Sequence, residues 1–206
     1  MQSNRLQLNT AKTEVLWCAS ARRQHQIPDD SLMVGSDVVQ PVRSVRDLGI
    51  YLESDLSMRT HVTRTVSCCF AFLRQIRSIR RSVSRSVVQS LIVSLVLSRL
   101  DYGGSTLAGL PARLLERLQS VLNAAARLVY GSRKYDHVMP LLHDLHWLRV
   151  PERITFRLAV LAYRCQHGLA PPYLADELHR VADVESRHRL RSASTTALVV
   201  PNTVHS

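Results

Sequence analysis

From Thr60 to Arg81 the chain reads THVTRTVSCCFAFLRQIRSIRR. Val62, Val66, Cys69, Phe70, Leu73 and Ile76 recur at three- and four-residue steps, the period of one helical stripe. Arg74, Arg77 and Arg81 fall together on the flank of that stripe. No acidic residue stands between Asp55 and Asp101, while the same interval holds many arginines. A lattice of ion pairs along the helix therefore lacks its acidic half. The preferred reading of the flank is contact with a phosphate backbone; the plain alternative is a solvated face.

Downstream the helical period continues. Ser84 to Leu100 is apolar nearly all round, which predicts a central helix ended by Gly103-Gly104. Pro111 opens a third helix, with Leu114, Leu115, Leu118, Val121, Leu122, Ala125, Leu128 and Val129 on its stripe and Gly131 as its stop. Asp136 is placed as the N-cap of a short helix through Leu145. Pro151 starts another helix that Gly168 closes, and Pro171-Pro172 leads into a last short one near His179.

Upstream the pattern differs. Thr13 to Ala19 is β-branched and aromatic, a strand signal. Leu32 to Val39 reads as a hairpin turning at Gly35, and Leu48 to Leu52 (LGIYL) as a third strand. Three short strands leave one face uncovered, as at the edge of a larger sheet. The fold class is therefore α+β: short β-hairpin and sheet-edge strands at residues 1–60, a helical bundle at 61–180, and a polar, largely disordered tail at 181–206.

The composition points to a partner. The chain has 206 residues and a net charge of +11, and Lys12 and Lys134 are its only lysines. Arginine's planar fork suits bidentate phosphate contacts, and a polyanion such as nucleic acid is the leading partner class. A GC-rich coding sequence would also inflate arginine. The four cysteines form no CxxC pair, and the polar N-terminus lacks a signal-peptide core. An intracellular setting, nuclear or cytoplasmic and without a membrane span, is expected. His137, His143 and His146 cluster without zinc-finger spacing, and Asp29-Asp30 follows a proline in a turn, so neither is assigned to a metal. No P-loop, GxSxG, HExxH or GxGxxG occurs.

Several strings taken in order carry a resemblance. They are Leu8-Asn9-x-x-Lys12-Thr13-Glu14-Val15-Leu16, Val45-Arg46-Asp47-Leu48-Gly49-Ile50, and Leu56-Ser57-Met58 with His61. Then come Ser98-Arg99-Leu100-Asp101-Tyr102, Asn123 to Val129, Leu145-His146-Trp147-Leu148, and His167 to Leu174. Together they resemble the C-terminal part of a non-LTR retrotransposon (LINE) reverse transcriptase of the jockey or chicken-repeat kind. The resemblance implies that Lys12 is the motif D lysine beside the pyrophosphate leaving group. It implies that Leu48-Gly49 is the motif E primer grip, and that the helices after His61 form a thumb tracking the template–primer duplex. Arg74, Arg77 and Arg81 would then contact nucleic acid.

The departures are also definite. The family's Tyr-Ala-Asp-Asp motif does not occur in this chain, so a polymerase fragment without activity of its own is expected. The parent would use Mg; this chain implies no cofactor. Its partners would be an RNA/DNA template–primer duplex and the parent's palm and fingers. Gly103 stands where many relatives carry Cys, and Arg149 where Pro often follows Leu-His-Trp-Leu. Two other readings stay open: a small nucleic-acid-binding protein retained by a host, and a structural helical interaction module.

Overall fold

The computed structural model describes residues 9, 12–35, 37–179, 181–183 and 198–199. The fold is α+β. Strands β1 (Leu32–Val34) and β2 (Asp37–Val39) pair antiparallel, as do β3 (Ser44–Asp47) and β4 (Ile50–Glu53). The helices are α1 (Arg59–Ile79), α2 (Arg85–Ile92), α3 (Ser98–Leu100), α4 (Ala112–Tyr130), α5 (Met139–Asp144), α6 (Val150–Gln166) and α7 (Pro172–Ala175). The chain divides into two compact units, residues 1–153 and 154–206.

In the first unit the stripe of α1 packs on α4. Val62, Val66, Cys69, Leu73 and Ile76 are buried on α1, as are Leu118, Val121, Leu122, Ala125 and Val129 on α4. Each such Leu, Ile or Val contributes about 1.5–3 kcal/mol over its exposed state. Phe70, placed on the stripe by its spacing, is only half-buried. Gly131 ends α4 at φ +70°, and Arg80 Nε donates to the Leu128 carbonyl at 2.8 Å. A cation thus sits at the negative end of α4, where the helix dipole favours it.

The start of α1 is capped from outside the helix. Its N-cap residue is Met58, left-handed at φ +57° and without a capping side chain. Glu53 of β4 supplies the acceptor instead. Its Oε2 accepts the Thr60 N–H at 3.1 Å and the Ser57 hydroxyl at 2.9 Å, and its Oε1 accepts the Thr60 hydroxyl at 2.7 Å. Asp55 Oδ1 accepts the Ser57 N–H at 2.9 Å. One carboxylate therefore satisfies an orphan helix donor, favours the helix dipole and fastens the β3–β4 hairpin to α1.

Four local expectations are corrected. Thr13–Ala19 is not a strand: Val15 makes an isolated parallel bridge to Pro41, and proline has no N–H to extend a ladder. Leu48 and Gly49 are not strand residues either. At φ +43° and +89° they form the turn between β3 and β4, the left-handed pair that a two-residue hairpin requires. Asp136 does not cap α5, whose N-cap is Val138; the Asp136 carboxylate accepts the Arg133 N–H at 2.6 Å. The Ser84–Leu100 stretch is helical but not buried all round, since Val87 and Val93 are exposed.

That stretch also changes its winding. Ser84 caps α2 by accepting the Val87 N–H, and Val93–Leu97 is a π-helical segment before α3. One extra residue per turn rotates the residues beyond it by about 100° relative to an unbroken α-helix. Buried positions therefore run Val88, Ile92, Val96 and Leu97, then Leu100.

In the second unit Gly168 is left-handed at φ +67°, just beyond α6, which begins in the first unit. Ile154 and Cys165 are buried, while Leu158 is exposed. The Val199 N–H donates to the His179 carbonyl at 2.9 Å. Most of the tail expected to be disordered, together with Leu8 and Val200, lies outside the described residues. No helix among the described residues is long and apolar enough to cross a membrane.

Burial raises the Glu53 pKa, but the hydrogen bonds from Thr60 and Ser57 outweigh it and hold the carboxyl below its ordinary value. A depressed folded-state pKa stabilises above the unfolded value and is lost as pH falls through the folded one. Glu53→Ala is expected to lower stability by about 1–2 kcal/mol in urea unfolding at pH 7. The gap from the unsubstituted chain should narrow as the pH is lowered through the acidic range. An equal gap at every pH would remove the charged carboxylate from the cap.

Candidate nucleic-acid interface

The expected site residues fall at three places. Asn9, Lys12 and Thr13 form a turn: the Asn9 carbonyl accepts the Lys12 N–H at 3.0 Å and the Thr13 hydroxyl at 2.9 Å. The Lys12 side chain is exposed. Arg74 and Arg77 are exposed on α1, and Arg81 is exposed on the 3-10 turn Arg80–Ser82 that comes after it. These three arginines make no ion pair among the described residues. Their neighbour Arg80 is half-buried against α4 and is not part of that surface.

Leu48 and Gly49 occupy the tip of the β3–β4 hairpin, where Leu48 is 83% exposed. The Tyr102 hydroxyl donates to the Leu48 carbonyl, which ties the tip to the end of α3. Gly49 lies under the Tyr102 ring; a Cβ there would come 3.3 Å from Cε1. Gly103 faces the same hairpin at φ +64°, and a Cβ on it would lie 2.7 Å from Ile50 Cδ1. A β-carbon at Gly103 is thus disfavoured twice, by backbone hand and by space.

Between the hairpin, α1 and α3 lies a cleft of about 780 Å³. Arg46 of β3, Arg64 of α1 and Arg99 of α3 line it, and no acidic residue among the described residues does. Arg64 sits over the Tyr51 ring at 4.6 Å and Arg46 at 5.7 Å from its centroid, while Arg99 sits over Phe72 at 4.9 Å. Such stacking is worth about 0.5–1 kcal/mol where exposed and holds the guanidinium planes in place. Asp101, next in sequence to Leu100 at the end of α3, is held by both arms of Arg153, with Nε to Oδ1 at 2.8 Å. Its charge is committed to that pair.

His61 also lines the cleft, at 5% exposure, and its Nδ1 has no hydrogen-bond partner among the described residues. Burial holds its pKa below the ordinary histidine value. A second basic groove of about 560 Å³ is lined by Arg59, Arg113 and Arg117, and Thr63 of α1 lines both. Arg117 Nη1 donates to the Thr63 hydroxyl at 3.0 Å.

The Arg46, Arg64 and Arg99 grouping is not visible when the sequence is read helix by helix. Its one sequence signal is the acid-free interval from Asp55 to Asp101, which contains two of the three. His137, His143 and His146 are all exposed. No group of three or more His, Cys, Asp or Glu side chains that could hold a metal forms among the described residues. Comparison with protein-family models, curated proteins and solved structures gives no match to this chain.

Gly103→Ala is expected to cost about 1–2 kcal/mol, because an L-residue must enter the left-handed region. Thermal unfolding monitored by circular dichroism checks this. A variant as stable as the unsubstituted chain would show that the turn relaxes freely and that Gly103 does not set the hairpin's position.

Proposed function

We propose that this chain corresponds to the palm-edge and thumb portion of a non-LTR retrotransposon reverse transcriptase. In this reading it binds an RNA–DNA template–primer duplex through an arginine surface centred on α1. The observation that carries the reading is the exposed, acid-free row Arg74, Arg77 and Arg81, continuous in sequence with a helix whose other face is committed to α4. Guanidinium forks on a rigid helix suit repeated phosphate contacts. The tight turn at Leu48-Gly49 agrees with a primer-grip role, in which backbone approaches a strand. The ordered strings from Asn9 to Leu174 supply the family resemblance.

On its own the chain is read as a nucleic-acid-binding part and not as a polymerase. The parent's Mg²⁺ centre is built on carboxylates, and the described side chains do not fit such a centre. No metal-holding group of three forms among them, and Asp101 is held by Arg153. Lys12 therefore acts in this reading only where the rest of a palm stands beside it.

Titration of an RNA–DNA duplex at several salt concentrations tests the reading. Replacing Arg74, Arg77 and Arg81 together with Gln should weaken binding and flatten the log–log salt slope by roughly 2–3. An unchanged slope would remove these residues from the contact surface. No binding at low salt would leave the structural helical module as the better account.

A further inference from the structure

We propose that the cleft between the β3–β4 turn, α1 and α3 is a site for a phosphorylated ligand of nucleotide size, with Arg64 and Arg99 on the phosphate. The inference rests on the nucleic-acid reading and deepens it, from a surface that tracks a duplex to a pocket that seats one nucleotide.

Charge comes first. Arg46, Arg64 and Arg99 reach the cleft from three elements, and no acidic residue among the described residues lines it. The guanidiniums set over the Tyr51 and Phe72 rings make no hydrogen bond or ion pair among the described residues, so their N–H donors remain for an oxyanion. Like charges gathered in one recess repel unless an anion joins them. A phosphate accepts two parallel N–H bonds from each fork and answers this need better than a single carboxylate.

His61 lines the same cleft at 5% exposure; its Nδ1 is closed off from the solvent that fills the recess, so the ring is wall and not a ligand contact. Size decides how much more than phosphate is bound. At about 780 Å³ the recess falls in the range of sites that enclose whole small molecules. The Thr65, Ser67 and Ser98 side chains on its walls offer hydroxyls to a sugar or a base edge. A free nucleotide and the terminal nucleotide of a strand present the same chemistry.

Cys68 lines the cleft and is half-exposed, whereas Cys18 is exposed and does not line it. Burial pushes the neighbouring Cys69 thiol up to about 12, so Cys69 stays unreactive. Alkylation of the full chain, read cysteine by cysteine by mass spectrometry, therefore reports occupancy. A nucleoside 5′-monophosphate at about four times its Kd should slow Cys68 about fivefold, with Cys18 unchanged. The nucleoside should not protect, and inorganic phosphate should protect less at equal concentration. Arg64→Gln with Arg99→Gln should restore the unliganded rate, and Arg64→Lys should keep part of the protection.

A short single-stranded oligonucleotide separates the two sources. Protection by both it and the mononucleotide supports a strand end, and protection by the mononucleotide alone supports a free nucleotide. Cys68 alkylated at its ordinary rate with every phosphorylated probe would overturn the proposal, as would equal protection by inorganic phosphate. These comparisons use the unsubstituted chain, so a variant that fails to fold does not blunt them. Cys68 left unprotected in a preparation that still binds duplex would sink the pocket and spare the nucleic-acid reading.

Discussion

The Glu53 carboxylate at the start of α1 is the joint on which the first unit depends. Met58 and Leu56 both adopt left-handed backbone just before the helix, and neither has a side chain able to accept the first helical N–H groups. The acceptor must come from elsewhere, and β4 brings it. This fixes where α1 begins relative to the hairpin. The hairpin tip in turn meets Tyr102 at the end of α3. The hairpin, α1 and α3 are thereby set around one recess.

The opposite end of α1 is fixed in a complementary way. Arg80 leaves the helix and lies on the Leu128 carbonyl in the last turn of α4, close enough to Gly131 that a Cβ there would collide with its guanidinium. α1 is thus held by an anion at its first turn and supplies a cation to its neighbour's last. Between these ends the apolar stripe does the packing, and the outward arginines carry no structural duty that the described contacts show. Exposed charge without an internal partner adds little to stability, so these side chains are better understood through what they meet outside the fold.

How much was legible depends on the range of the forces involved. The α1 and α4 stripes are written in spacing, because burial repeats every turn. The β1–β2 hairpin is written in Gly35. Leu48-Gly49 misleads because Leu-Gly-Ile-Tyr-Leu is apolar throughout, and strand propensity does not register that the first two residues take left-handed angles. Thr13–Ala19 misleads in the opposite sense: its side chains suit a strand, but Pro41 across from Val15 cannot extend the ladder. The cleft is invisible for a further reason. Arg46, Arg64 and Arg99 lie on three elements, and only the turn at Leu48-Gly49, the Glu53 cap and the π-helical segment bring them to one place.

The π-helical segment Val93–Leu97 has a consequence for how this chain can change. A π turn takes up one residue more than an α turn in about the same rotation, so the residues beyond this segment keep the register of a helix one residue shorter. Straightening the segment at its present length would turn every residue beyond it by about 100°, swinging Arg99 off the cleft wall and Asp101 away from Arg153. Loss of one residue together with the straightening would leave both in place. Length and winding are coupled over these five residues. A lineage that keeps the recess can shorten and straighten this helix together, but cannot straighten it alone.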